Sequence, residues 1–380
     1  MSKKYVVPIL LILVLAGFSC SDIPQQGPLQ KVLSTNNVLI KKVMDSLDQY
    51  EVQIRYTQID RRNDSVRFTD FDFQVDKEHY FYPASTVKFP AAVAALEKVN
   101  EMDSLSVTTR FYIEGDSIET TFAEAISQIF AVSDNAANNR LLEFLGQNGL
   151  NERMESKGVE PIRIAHRLST PNADDVTTKP LVTYLNDSTT TTSERIINTA
   201  PKPLELYKIE KGTGFYNEDS LHTGAFDFSL KNYYPIDAQH ALLKRIIFPE
   251  YFPKEQRFNI SETQHELLLK AMHTLPKDLG YDTEEYYDSY VKFLMFGDSE
   301  NTMPDYIKIY NKVGYAYGTL TDCAYIKDVK NNIDFMVTAT ILVNKNGIFN
   351  DNIYEYDEIG IPFLAELGRQ IYTIELERKR

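Results

Sequence analysis

The chain of 380 residues contains no tryptophan, two cysteines and six histidines. Cys20 and Cys323 cannot build a disulfide framework, so stability must come from packing of the apolar residues, which make up 43% of the chain. The histidines and cysteines fall into no metal-ligand spacing, and neither a metal nor an organic cofactor is expected. After the N-terminus no stretch approaches the roughly 18 apolar residues of a membrane span. Positive charge is also scarce: 40 lysines and arginines stand against 54 acidic residues, a net charge of −14. That balance argues against nucleic acid as a partner and against electrostatic docking on anionic lipid. The expected partner is a small molecule and the expected state a monomer.

What the N-terminus does contain is a charged pair, Lys3-Lys4, followed by an apolar run from Val6 to Phe18 that is short for a span. It reads as a secretion signal over residues 1–19. The run closes on "LAGFSC", which resembles a bacterial lipoprotein signal in which Cys20 is lipidated and becomes the first residue. Phe18 departs from the tightest form of that signal, and ordinary cleavage is the alternative. Loss of two lysines with the signal takes the net charge from −14 to −16, so anchoring would depend on the lipid. The expected location is outside the cytoplasm, tethered to a bacterial membrane and facing the periplasm or the surface. Residues 20–35, with "SDIPQQGPLQ", suit a flexible tether.

Residues 36–380 read as one catalytic domain of α/β (α+β) class. A helix is predicted over about Asn36 to Leu47, then two alternating strands, "EVQIRYTQID" and "SVRFTDFDFQV", with a turn near Asn63-Asp64. The stretch from Ser85 to about Gly146 reads as helical, with breaks at Gly115 and near Asp134. Three strand-like runs, "YIKIYNKVGYAYG", "TDCAYIKD" and "IDFMVTATILVN", precede a last helix from about Tyr354 to Glu377. Strands from both chain ends around a helical middle suggest one sheet assembled from the two termini. About 173–259, with "NDSTTTTSER" and little periodicity, is expected to be an insertion with some structure of its own.

Three short motifs carry chemistry. In "YFYPASTVKFPAAVAALEKV", Ser85 and Lys88 lie three residues apart at a helix start, which places an amine one turn from a hydroxyl. Ser289-Tyr290-Val291-Lys292 has the same S-x-x-K form, so the pattern alone does not separate a nucleophile from a helix cap. Ser133-Asp134-Asn135 stands once in the chain, at a break between helical runs. For a third element "KGTG" at Lys211, "HTG" at His222 and "KVG" at Lys312 compete, and only the last is embedded in strand pattern.

Taken together, Ser85-Thr86-Val87-Lys88, Ser133-Asp134-Asn135 and Lys312-Val313-Gly314 occur in the order of the penicillin-recognising serine enzymes, and the chain most resembles their class A β-lactamase branch. The resemblance implies a five-stranded antiparallel sheet flanked by helices, an all-helical subdomain, and a site in the cleft between them. It implies that Ser85 forms an acyl-enzyme, Lys88 accepts or relays its proton, and Ser133 passes a proton to the leaving nitrogen. Asn135 would hold Lys88 and the substrate amide, and Lys312 would supply positive potential. The N–H groups of Ser85 and Tyr315 would form the oxyanion hole.

Two departures stand out. Val313 stands where the family usually has a hydroxyl residue that helps bind the substrate carboxylate, so carboxylate recognition is expected to be weakened, or moved to Thr319 or Ser133. The glutamate that activates the deacylating water in class A enzymes is also missing: "RIAHRLSTPN" stands there, with Ser169 near the expected place, Glu160 too early, and His166 a possible base. The expected function is therefore an exported serine hydrolase acting on β-lactams. The alternatives are a penicillin-binding peptidase or slow acyl-trapping protein on peptidoglycan-type amides, and a non-catalytic ligand-binding surface lipoprotein.

Overall fold

A computed structural model describes residues 27–62 and 65–378. The signal over residues 1–19, Cys20, part of the tether and the turn at Asn63-Asp64 lie outside the described residues. The central sheet has five antiparallel strands, β1 (Gln53–Arg62), β2 (Ser65–Phe73), β3 (Ile307–Ala316), β4 (Thr319–Asp328) and β5 (Ile333–Leu342), in the order β3-β4-β5-β1-β2. Strands from the two chain ends meet where β1 pairs with β5, Tyr56 opposite Val337. β4 and β5 are buried on both faces, and their dense Val, Ile, Ala and Thr composition reflects that.

Helices cover both faces. The terminal helix Ile361–Glu377 buries Phe363, Leu364, Leu367 and Ile371 in one core with Val337, Ala339 and Ile341 of β5. The opposite face meets the helix Ile236–Ile247, whose Ala238, Leu242, Leu243 and Ile246 join a second core with Cys323 and Met336. The helices Lys88–Asn100, Phe122–Ala131, Asn135–Leu145 and Gln147–Ser156 complete that second core.

Four expectations are revised. The segment expected as a flexible tether over 20–35 is not one throughout, because Pro28–Leu33 forms a helix that buries Leu29, Val32 and Leu33 in the core beneath the terminal helix. The subdomain beside the sheet is not all helical, because Arg110–Ile113, Thr120–Thr121, Leu181–Asn186 and Thr189–Thr192 form a small four-stranded sheet there. Its threonine run suits pleated backbone. The region 173–259 contains short hairpins, but its helix Ile236–Ile247 is part of the core rather than a decoration. The last helix begins at Ile361, because Tyr356–Gly360 forms a wider π-type turn before it.

Candidate active site

Ser85 lies in a 3₁₀ turn, Ala84–Val87, immediately before the helix that begins at Lys88. That turn is built without a side-chain cap at either helix start; instead Thr86 Oγ1 donates to Pro83 O at 2.7 Å. The Ser85 hydroxyl is therefore not a cap and takes no partner among the described residues. Ala84 adopts a left-handed φ of 46°, uncommon for a residue with a Cβ, and Ser133 does the same with φ 57°. Such strain at two points flanking one cleft marks a geometry held by its surroundings.

The surroundings are three motifs in contact. Lys88, fully buried, donates from Nζ to the carbonyl of Ser133 and to its Oγ at 3.2 Å. Lys312, on β3, donates to the same Oγ at 2.8 Å and to Val313 O at 2.8 Å. Ser133 Oγ thus accepts from two amines while its own proton stays available. Asp134 caps the helix Asn135–Leu145 by accepting from Ala137 N at 2.7 Å, so one short segment both orients Ser133 and starts a helix.

Burial sets the charges. Desolvation pulls the Lys88 amine down to about 7, against the opposing pull of the Asp134 carboxylate, so a neutral amine is accessible near neutral pH. Lys312 is lowered too, first by burial and then by the neighbouring Lys88 and Lys292 cations, with Asp322 acting the other way.

Gly314 fixes how close the sheet edge comes to the nucleophile. A Cβ there would lie 2.7 Å from Pro83 O, 2.8 Å from Ser85 N and 2.9 Å from Thr86 N, so only glycine lets β3 rest on the Ser85 turn. The next residue, Tyr315, is 53% exposed and lines a cleft of about 650 Å³ together with Ser85, Tyr82, Asn135 and Lys231. Tyr317, Tyr354 and Tyr356 form much of the remaining wall.

Several candidates stand elsewhere or act differently. Asn135 does not hold Lys88: its Nδ2 donates to Ser169 Oγ at 3.1 Å, because the Ser133 turn already supplies both acceptors for the amine. Thr319 is buried and does not line the cleft, so it offers no free group for a carboxylate, whereas Ser133, whose Oγ accepts from both lysines, keeps its own proton to donate. Val313 is buried in the core on the far face of β3. Lys211 is buried in an ion pair with Glu51, and His222 lies on an exposed hairpin stacked on Phe215. Ser289 donates to Ser299 O at 2.5 Å and Lys292 is buried under the sheet, so the second S-x-x-K lies outside the cleft.

Of the groups in "RIAHRLSTPN" and just before it, Glu160 is exposed and does not line the cleft. Ser169 lines it, with a left-handed φ of 49°. His166 also lines it, stacked on Tyr82 with Nδ1 2.6 Å from Arg167 O, and desolvation lowers its pKa. No aspartate or glutamate is among the described residues that line the cleft.

Sequence reasoning missed Arg167 and Glu143. Arg167 is 1% exposed and grips Glu143 through Nε at 2.6 Å and Nη2 at 2.8 Å, while Nη1 donates to Asp175 O at 2.7 Å. The pair ties the wall of the cleft to the helix Asn135–Leu145. The signal was an acid in the apolar stripe of "RLLEFL", since a buried carboxylate needs a partner. Lys231 and the tyrosine wall carry no motif that would have revealed them.

Residues 38–200 match a family model described as the β-lactamase enzyme family. No curated protein sequence matches the chain. Among solved structures, a β-lactamase from Sphaerobacter thermophilus is 13% identical with a TM-score of 0.52, over 92% of this chain and 96% of that one. A class A β-lactamase representative from Bacteroides cellulosilyticus is 13% identical with a TM-score of 0.54, over 93% and 100%. A protein named PBP-A is 14% identical with a TM-score of 0.54, over 92% and 96%. At such identities these structures establish a shared fold.

Proposed function

We propose, for a chain whose residues 38–200 match the model of the β-lactamase enzyme family and whose fold is shared with β-lactamases and the protein named PBP-A, that it is a serine hydrolase forming an acyl-enzyme on Ser85. β-Lactams are the leading substrate class. One observation carries this reading: Lys88 and Lys312 converge on a single hydroxyl, Ser133 Oγ, beside an uncommitted Ser85 at the cleft. In this mechanism Ser85 Oγ attacks the amide carbonyl, and its proton passes to the neutral amine of Lys88. Ser133, oriented by both lysines, returns a proton to the leaving nitrogen. The N–H groups of Ser85 and Tyr315, held together by the contact at Gly314, face the developing oxyanion.

A second reading has its own support. With no aspartate or glutamate among the described residues that line the cleft, none of those lining residues takes the place of the usual deacylating glutamate, which favours a long-lived acyl-enzyme: a penicillin-binding or acyl-trapping protein acting on peptidoglycan-type amides. Export and lipid attachment at Cys20 belong to either reading, and loss of metabolic lipid labelling in Cys20→Ala tests them.

Incubation with a chromogenic β-lactam, followed by intact mass over time, separates the two. Rapid product release supports the β-lactamase. A persistent adduct that disappears in Ser85→Ala supports the trapping protein. Absence of any adduct refutes both, and an adduct lost in Ser289→Ala instead would move the nucleophile.

A further inference from the structure

The second S-x-x-K motif does not form a second site, yet its lysine is among the most buried side chains of the chain. Lys292 is 0% exposed, and its Nζ donates to Asn311 Oδ1 at 2.6 Å and to Met272 O at 2.9 Å. Asn311 turns its amide nitrogen to Asp322 Oδ1 at 2.8 Å and to Val291 O at 2.9 Å. Asp322, also 0% exposed, accepts from Leu294 N at 3.1 Å through its other oxygen. A lysine amine and an aspartate carboxyl group are therefore bridged by one amide inside the core, where burial lowers the amine and raises the acid.

The position of this bridge in β3 gives it a consequence. Asn311 precedes Lys312, so by strand alternation the two side chains leave opposite faces of one strand. Asp322 faces the same core as Asn311, two rungs along, opposite Val313. The Lys292 and Lys312 amines thus flank β3, and the charge of Asp322 acts on both. The charged and titratable groups acting around them include Lys88 beside Lys312, Asp134 acting on Lys88, His273 at the end of the helix Glu262–His273 whose Met272 carbonyl accepts from Lys292, and the Cys323 thiol next to Asp322.

We propose that Lys292, Asn311 and Asp322 form a positioning network beneath the active site: Asp322, aimed by Asn311, balances both buried amines and keeps Lys312 in its ammonium form. The catalytic consequence rests on the acyl-transfer reading above, in which Lys312 acts as a cation; the placement does not. Removing the carboxylate leaves two like charges facing each other across the strand without a counter-charge. Removing Lys292 relieves the repulsion and leaves Asp322 to Lys312 alone. The two substitutions must therefore move Lys312 in opposite directions, which a purely structural role would not do.

Titration of the full chain labelled at lysine Cε, with the Lys312 resonance assigned through Lys312→Met, reads this directly and needs no substrate. Asp322→Asn should lower the Lys312 midpoint by about one pH unit and Lys292→Met should raise it by about as much, as expected for a charge several ångströms away in the interior. The double variant should return close to the original midpoint and, with no unpaired buried charge, serves as the folded control if Asp322→Asn unfolds. Equal midpoints, or shifts in the same direction, overturn the network. Where an adduct forms, the alkaline limb of its formation should move with the midpoint. Failure of the wild-type chain to form any adduct would instead refute the acyl-transfer reading, with the titration result standing.

Discussion

Replacing Gly314 by alanine tests the geometry of the cleft with one methyl group. The backbone at Gly314 is not left-handed, so alanine suffers no conformational penalty, and the effect is purely steric. The three atoms it would meet, Pro83 O at 2.7 Å, Ser85 N at 2.8 Å and Thr86 N at 2.9 Å, are all backbone. Ordinary contacts require about 3.5 Å, so β3 and the Ser85 turn must separate by a large part of an ångström. Overpacking of this kind costs about 1–3 kcal/mol. With an unfolding entropy of roughly 2.1 cal/mol/K per residue over about 350 folded residues, Tm should fall by about 1–4 °C. The effect on activity should be far larger, because the separation falls between the two proposed oxyanion donors, and losing one such donor costs about 10²–10³ in rate. The assay pairs thermal unfolding with the rate of β-lactam adduct formation by intact mass. A Gly314→Ala chain that melts slightly lower and acylates at the wild-type rate would refute the assignment of this contact to the oxyanion site.

Adduct formation should also depend on pH through Lys88. Its amine is lowered to about 7 by desolvation against the charge of Asp134, and only the neutral form accepts a proton. The rate should therefore be about half-maximal near pH 7, approach its full value about one unit higher, and fall about tenfold per unit well below pH 7; a flat profile between pH 5 and 8 would exclude Lys88 as the base. Among the described residues Lys231 is the lysine that lines the cleft, and it has one weak ion partner there, Asp174 at 3.9 Å, itself 78% exposed. Lys231→Met should slow acylation by a carboxylate-bearing β-lactam about 5- to 10-fold, leave its neutral ester unaffected, and lose its effect at high salt. Equal effects on acid and ester would remove Lys231 from carboxylate recognition. Arg167→Met strands Glu143, which is 6% exposed in its side chain. Breaking one side of a buried pair costs about 3–5 kcal/mol, measurable as a lower urea midpoint; an unchanged midpoint would show that the wall of the cleft does not depend on the pair.

How much of this was legible in the sequence follows from the range of each interaction. The strands of β1, β3, β4 and β5 announced themselves because their periodicity and composition are local consequences of facing a core. The helix Ile236–Ile247 was missed although its Leu242, Leu243 and Ile246 repeat at helical spacing, because "NYYPI" before it and "FPEYFP" after it carry turn signals that drowned a short pattern. The cleft differs in kind. Its motifs were readable as letters in an order, but the roles depend on distances that no spacing encodes. Asn135 falls where a ligand of Lys88 was expected, yet the left-handed turn at Ser133 offers that amine a carbonyl and a hydroxyl first, and Asn135 is left to hold Ser169. The second S-x-x-K shows the same limit from the other side. Ser289 and Lys292 satisfy the pattern, but their partners are a carbonyl at Ser299 and an amide at Asn311, so the hydroxyl is consumed and the amine faces the core. What distinguishes the two motifs is the partner the fold leaves to each: Ser85 keeps its hydroxyl free because a threonine, Thr86, ties the turn instead. A nucleophile is thus specified partly by the neighbour that relieves it of structural duty.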